Sequence, residues 1–95
     1  MSREEVAALV KKGRAVLLDV RPAVEFQAGH IPRAISIPID ELPARVSESP
    51  PDKRVITYCR GAYCLFADEA IALLRTQAFD VARMEGGWPE WADER

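Results

Sequence analysis

Apolar residues along the chain follow two kinds of spacing, and each kind predicts a different element. Near the start, Val6 and Leu9 have the spacing of one face of a helix. Ser2 and Glu5 form a capping-box pattern before them, and Gly13 is placed to end the helix in a left-handed conformation. The first segment is therefore predicted to be a capped amphipathic helix.

Further along, short apolar runs alternate with segments of helical spacing. Four runs bounded by turn residues predict strands, at residues 15–20, 34–37, 54–58 and 81–84. The segments between them predict helices, at residues 22–27, after a capping Asp40 with Pro43 in the first turn, and at residues 63–76. Strands that alternate with helices imply parallel pairing, so the predicted class is α/β.

Composition restricts the class of protein and its partners. The chain has 95 residues, which is one domain, and its 48% hydrophobic and 29% charged residues are typical of a soluble globular protein. The net charge of −2 and the absence of a dense Lys/Arg run argue against nucleic acid or an anionic membrane as the main partner. No apolar stretch approaches the roughly 20 residues of a membrane span, and no signal-peptide pattern is present. We therefore expect a cytoplasmic protein.

The two cysteines of the chain, Cys59 and Cys64, lie in one short segment. Because cytoplasmic thiols are kept reduced, such a pair indicates chemistry or metal binding before it indicates a structural disulfide. Cys59 comes directly after the clearest strand pattern and before the strongest helical pattern. In open parallel sheets, ligands sit beyond the carboxyl ends of the strands, which is where this position lies. Cys59 is therefore the candidate nucleophile.

The segment after Cys59 has the features of an anion site. Backbone N–H groups of residues 60–64 are free to point inward, and the dipole of the following helix also favours negative charge. A thiolate there is expected to have a lowered pKa and to be a competent nucleophile. Gly61 supplies backbone freedom to the loop, and Arg60 adds a positive charge.

Several short motifs occur in the same order along nearly the whole chain: residues 17–21 (LLDVR), Glu25 and Phe26, residues 29–32 (GHIP), 34–38 (AISIP), 58–60 (YCR), 85–87 (EGG), and Trp91. Together they resemble the rhodanese homology domain. The resemblance implies one rhodanese-like domain over residues 1–95, with a parallel five-stranded sheet flanked by helices on both faces. It also implies a sulfurtransferase that needs no metal and no organic cofactor.

The resemblance assigns the persulfide to Cys59. The sulfur would come from thiosulfate or another sulfane donor and pass to a thiol, to cyanide or to a sulfur-relay protein. The residues that would bind the substrate are those of the loop: Arg60, Gly61, Ala62, Tyr63 and Cys64. A typical family loop has Gly three residues after the cysteine and Arg, Ser or Thr five residues after it. Here Gly61 comes two residues after Cys59, and Cys64 takes the fifth position.

Cys64 leaves three interpretations open. It is an inert residue of the first helical turn, a resolving thiol that attacks the persulfide and leaves a disulfide, or half of a two-thiol site for a soft metal or metalloid ion. The corresponding alternatives for the whole chain are a non-enzymatic sulfur carrier or sensor, and a two-thiol redox or arsenate-handling protein. A thiol-based phosphatase is disfavoured, because Leu65 stands where an oxyanion-binding arginine is needed.

Other conspicuous residues are predicted to support the site. His30 belongs to a turn that positions the second strand. Asp19 and Arg21 are expected to form a fixed ion pair near the loop, with a contribution from Glu25, and to be candidates for positioning residues. The two tryptophans, at positions 88 and 91, are expected to cover the core.

Overall fold

The computed structural model describes residues 1–48, 52–60 and 65–86. Helices and strands alternate along these residues: α1 (Arg3–Lys11), β1 (Ala15–Asp19), α2 (Ala23–Ala28), β2 (Ile35–Ser36), α3 (Leu42–Arg45), a 3₁₀ turn (Val46–Glu48), β3 (Arg54–Tyr58), α4 (Phe66–Thr76) and β4 (Val81–Arg83). Within the described part of the chain, no helix is both long enough and apolar enough to cross a membrane.

The strands form one parallel sheet in the order β2-β1-β3-β4. In this register, Asp19 at the end of β1 is level with Tyr58 at the end of β3, and also with Ser36 of β2. The carboxyl ends of the three strands therefore meet at one edge of the sheet. The predicted α/β class with parallel strands is confirmed.

The described residues contain four strands, whereas the resemblance implied five. The outer edge of β4 is partly occupied by the first residue of the chain. There Met1 makes two backbone hydrogen bonds, from its amino group to the Arg83 carbonyl oxygen at 2.9 Å and from the Glu85 N–H to its own carbonyl oxygen at 2.7 Å. Ser2 then caps α1, so among the described residues Met1 is the one that pairs with β4 at this edge.

Alternation along the central strands divides the core between the two faces of the sheet. One face packs on α1, and its buried residues are Val6, Ala15, Leu17, Ile31, Ile56, Tyr58 and Met84. The other face packs on α3 and α4, and its buried residues are Leu18, Val20, Ile37, Leu42, Val55, Cys59, Ala67, Ala70, Leu74 and Val81. Helices therefore cover both faces, and Cys59 lies on the α4 side.

The cap predicted for α1 is confirmed, and the cap predicted for α3 is wrong. Ser2 and Glu5 make the reciprocal bonds of a capping box, and Gly13 has a positive φ of 71° after the last turn of α1. The prediction that Asp40 caps the third helix is wrong, because its N-cap is Glu41. The N–H groups of Glu41 and Leu42 already donate to the Pro38 carbonyl oxygen, at 2.9 and 3.1 Å, which leaves no need for a side-chain cap.

The fourth helix begins at Phe66, later than the predicted residue 63. Residues 63 and 64, where the helix was predicted to start, lie outside the described residues, as do both tryptophans. The remaining predicted strands and helices match the structure to within two residues at their ends.

Candidate active site

Cys59 directly follows the last residue of β3, at the carboxyl edge of the sheet. Its side chain is fully buried and packs among the apolar residues beneath α4. Cys59 is disulfide-bonded. The sequence contains one other cysteine, Cys64, which lies outside the described residues. A reactive thiolate at position 59 therefore requires that the disulfide first be reduced.

A buried polar cluster, formed by Asp19, Arg21 and Tyr58, lies at the same edge. The Arg21 Nε donates to both Asp19 carboxylate oxygens at 2.9 and 3.0 Å, and its Nη2 donates to Oδ2 at 2.6 Å. The Tyr58 hydroxyl donates to the same Oδ2 at 2.8 Å. Asp19 and Arg21 thus form the expected fixed ion pair, and all three side chains are buried.

The cluster also holds the turn that leads into β2. Arg21 Nη2 donates to the Gly29 carbonyl oxygen at 2.6 Å, and the Ile31 N–H donates to the Tyr58 hydroxyl oxygen at 3.2 Å. Burial raises the pKa of Tyr58, and the negative charge of Asp19 raises it further. The tyrosine therefore stays protonated and can keep donating to Asp19. These bonds connect the ends of β1 and β3 immediately before Cys59.

A second arginine pair lies on the surface beside the cysteine. Arg60 Nε donates to both carboxylate oxygens of Glu25 at 2.8 and 3.1 Å, and Nη2 donates at 2.6 Å. The same guanidinium lies 5.3 Å from the ring centroid of Phe66 in α4. The hydrogen bonds lower the pKa of Glu25 and raise the pKa of Arg60. Both groups are therefore charged at neutral pH, and the positive charge expected from Arg60 is compensated.

His30 is engaged with α2. Its ring stacks on Phe26 with the centroids 3.7 Å apart, and its Nδ1 lies 2.9 Å from the Phe26 carbonyl oxygen. Because a carbonyl oxygen only accepts, Nδ1 is the donor in this contact. This arrangement agrees with a supporting role in the turn.

The rest of the predicted binding loop is not described. Gly61, Ala62, Tyr63 and Cys64 lie outside the described residues, so the ring of backbone donors around the sulfur stays a prediction. Within the described ranges, no group of three or more His, Cys, Asp or Glu side chains is arranged to hold a metal ion.

Sequence reasoning missed Glu25 as the partner of Arg60, and it missed the roles of Tyr58 and Phe66. A signal for the first was present. Glu25 is in the helix after β1, Arg60 follows β3, and adjacent parallel strands bring their carboxyl ends together.

The domain is a parallel α/β sheet with a cysteine directly after a central strand, at the edge where open sheets of this class bind their ligands. The chain belongs to the rhodanese-like domain family, whose match covers residues 2–94.

Three similar proteins support this assignment. An HTH-type transcriptional regulator of Mycobacterium tuberculosis is 44% identical over 91 residues, which are 96% of this chain but 40% of the regulator. A sulfurtransferase of Allochromatium vinosum is 36% identical over 78 residues, 81% of this chain and 71% of that protein. The structure of a human single-domain sulfurtransferase superposes with a TM-score of 0.84 at 28% identity, covering 100% of this chain and 96% of that one. The family and these sulfurtransferases support sulfur transfer in general.

Proposed function

We propose that this chain is a sulfurtransferase that holds sulfane sulfur as a persulfide on Cys59. The proposed donor is thiosulfate or a related sulfane compound, and the proposed acceptor is a thiol or cyanide. The observation that carries the proposal is the position of Cys59, which directly follows β3 at the carboxyl edge of a rhodanese-like sheet. The buried cluster of Asp19, Arg21 and Tyr58 supports this position, because its hydrogen bonds join the end of β1 to the residue that precedes the cysteine.

The proposed reaction has two displacement steps. The Cys59 thiolate attacks the outer sulfur of thiosulfate, the S–S bond of the donor breaks, and sulfite leaves with the bonding electron pair. The product is a Cys59 persulfide anion. Cyanide or an acceptor thiolate then attacks the terminal sulfur, the persulfide S–S bond breaks, and the Cys59 thiolate is regenerated with thiocyanate or an acceptor persulfide as the product.

The test starts with the reduced protein, because the disulfide of Cys59 leaves no thiolate to attack the donor. After exposure to thiosulfate, mass spectrometry of the intact chain is expected to show one added sulfur atom. The added mass is expected in the Cys64→Ser variant and absent from Cys59→Ser. Thiocyanate formation from thiosulfate and cyanide is expected to follow the same pattern. A Cys59→Ser variant that still gains sulfur would overturn the assignment of the nucleophile.

A stable persulfide without turnover would instead identify a sulfur carrier. The chain spans 40% of the length of the transcriptional regulator that it resembles, so a carrier or sensor attached to another activity is consistent with that relative. Thiocyanate production and persulfide accumulation measured on one sample separate the enzyme from the carrier.

A second candidate is favoured by the disulfide at Cys59. Because Cys64 is the one other cysteine in the sequence, we propose that it acts as a resolving thiol. In this step the Cys59 persulfide is first protonated on its outer sulfur by water. The Cys64 thiolate then attacks the inner sulfur, the persulfide S–S bond breaks, hydrosulfide leaves with the bonding pair, and a Cys59–Cys64 disulfide remains. Two equivalents of an added thiol then reduce the disulfide, become a disulfide themselves, and restore both cysteines.

This second candidate has its own readout. With thiosulfate in excess and no acceptor, the wild-type protein is expected to release sulfide and become oxidised, while Cys64→Ser retains its persulfide. If wild-type protein and Cys64→Ser accumulate the same persulfide and release no sulfide, the resolving role is wrong.

A further inference from the structure

We propose that Glu25 determines the donor preference of the site by compensating the positive charge of Arg60, so that the site favours sulfane donors of low charge over the dianion thiosulfate. This inference rests on the proposed sulfur transfer at Cys59. It assigns to Glu25 a specificity-determining role that acts through Arg60, not through contact with the reacting sulfur.

The position of Arg60 makes its charge relevant to the nucleophile. It directly follows Cys59, and its guanidinium lies 5.3 Å from the ring of Phe66, which packs against the cluster that contains Cys59. An arginine at this position is suited to attract an anionic donor to the sulfur. Its guanidinium is instead bound at two nitrogens by Glu25 and lies over the face of Phe66. A donor therefore meets an ion pair and not an uncompensated cation.

The arginine that follows β1 at this edge is compensated in the same way. Arg21 is held by the buried carboxylate of Asp19. The cations after the two central strands, Arg21 and Arg60, thus each have a carboxylate within 2.6 Å. Replacing one of the two carboxylates by an amide restores a net positive charge. Glu25 is the accessible choice, because its side chain is 31% exposed while that of Asp19 is wholly buried.

Compensation of Arg60 by Glu25 predicts an order among donors. Thiosulfate carries two negative charges, whereas benzenethiosulfonate carries one and transfers its outer sulfur with benzenesulfinate as the leaving group. Removing the charge of Glu25 is expected to favour thiosulfate over benzenethiosulfonate by about threefold at low salt, as expected for one unit of charge several ångströms away in a water-like dielectric. Salt at about 1 M shortens the screening length to about 3 Å and is expected to abolish the difference.

The decisive experiment measures how strongly the electrostatic potential at Cys59 attracts an anionic reagent, and it involves no sulfur transfer. Reduced protein with the Cys64→Ser substitution is alkylated with iodoacetate and with iodoacetamide, two reagents of similar size that differ by one negative charge. The ratio of the two rate constants cancels any change in the pKa of the thiol, because both reagents attack the same thiolate. Glu25→Gln keeps the shape of the side chain and a hydrogen-bond acceptor for Arg60 while removing the charge.

Four proteins give a charge series: the Cys64→Ser parent, and the same protein with Glu25→Gln, with Arg60→Gln or with both substitutions. Relative to the parent, the iodoacetate-to-iodoacetamide ratio is expected to rise about threefold in Glu25→Gln and to fall about threefold in Arg60→Gln. The double variant is expected to return to the parent ratio, because its pair is again neutral. A purely structural role for the bridge predicts that both single variants change both rates alike and leave the ratio unchanged.

The outcomes separate this inference from the function on which it rests. If reduced Cys59 reacts with neither reagent, the proposed nucleophile is unreachable and the proposed function is overturned together with the inference. If Cys59 reacts with both reagents but the ratio is the same in all four variants, the role of Glu25 is overturned while the proposed function stands. A matching shift in donor preference, measured as the ratio of kcat/KM values, extends the result to sulfur transfer.

Discussion

Two arginine–carboxylate pairs stand at the same edge of the sheet and differ in burial. Asp19–Arg21 and Glu25–Arg60 share a shortest N–O distance of 2.6 Å. The side chains of the first pair are 0% and 4% exposed, and those of the second are 31% and 51% exposed. Because water screens exposed charges, equal geometry does not mean equal stabilisation. The buried pair is expected to determine stability, and the surface pair to determine the charge presented to a ligand.

The largest expected loss of stability comes from removing the charge of one partner in the buried Asp19–Arg21 pair. Asp19→Asn leaves the Arg21 guanidinium buried without a compensating charge and is expected to lower the free energy of unfolding by about 3–5 kcal/mol. Denaturant unfolding of the reduced protein measures this loss. Glu25→Gln is the matched control, since it makes the same change from carboxylate to amide at the surface pair. A similar small loss in both variants would contradict the distinction between the pairs.

A smaller loss of stability is expected when the Tyr58 hydroxyl is removed, which joins the buried pair to the turn before β2. Tyr58→Phe removes the donor to Asp19 and the acceptor for the Ile31 N–H, and is expected to cost about 1–2 kcal/mol at neutral pH. The readout is the difference in unfolding free energy between wild type and variant, measured across pH.

The pH dependence of that difference has a definite sign. The pKa of Tyr58 is raised in the folded protein above its ordinary value of 10.0. The stability linked to its protonated form is therefore fully present below pH 10 and is lost as the pH rises above it. Phenylalanine does not titrate, so the gap between wild type and Tyr58→Phe is expected to narrow above pH 10. A gap that widens there would contradict the raised pKa.

The elements that local patterns specify were predicted well. The capping box at Ser2, the glycine after α1 and the strand β3 each depend on a few neighbouring residues, and each is found as predicted. The Asp40 cap failed because the carbonyl oxygen of Pro38 serves the same N–H groups, a competition that side-chain preference alone does not show. The fifth strand was implied by family resemblance, and the described edge has only the single paired residue Met1.

The site was predictable in position but not in its charges. The location of Cys59 followed from a general rule about the ends of parallel strands. The compensation of Arg60 did not, because it joins residues 35 positions apart and depends on how α2 and α4 pack beside the sheet. The burial and oxidation of Cys59 likewise depend on tertiary packing and on the redox environment.

The smallest expected effect is the loss of stability in Glu25→Gln. Because both partners are substantially exposed, the change is expected to be no more than about 0.5 kcal/mol and to disappear at high salt. Arg60 lowers the pKa of Glu25, so the contribution of the pair is present above pH 4.5 and is lost as the pH falls through the lowered value. Glu48→Gln is the control for an exposed bridge that does not involve Arg60, because Glu48 pairs with Arg45, which Glu41 also contacts.

The two surface variants are expected to match in stability and to differ at Cys59. Glu48→Gln is expected to leave the alkylation ratio of the thiol unchanged, since Glu48 pairs with Arg45 and Glu25 pairs with Arg60. If Glu25→Gln instead destabilises the fold as strongly as Asp19→Asn, the Glu25–Arg60 bridge is a structural element. Its contribution to stability would then be enough to explain why the bridge is present, without a role in donor selection.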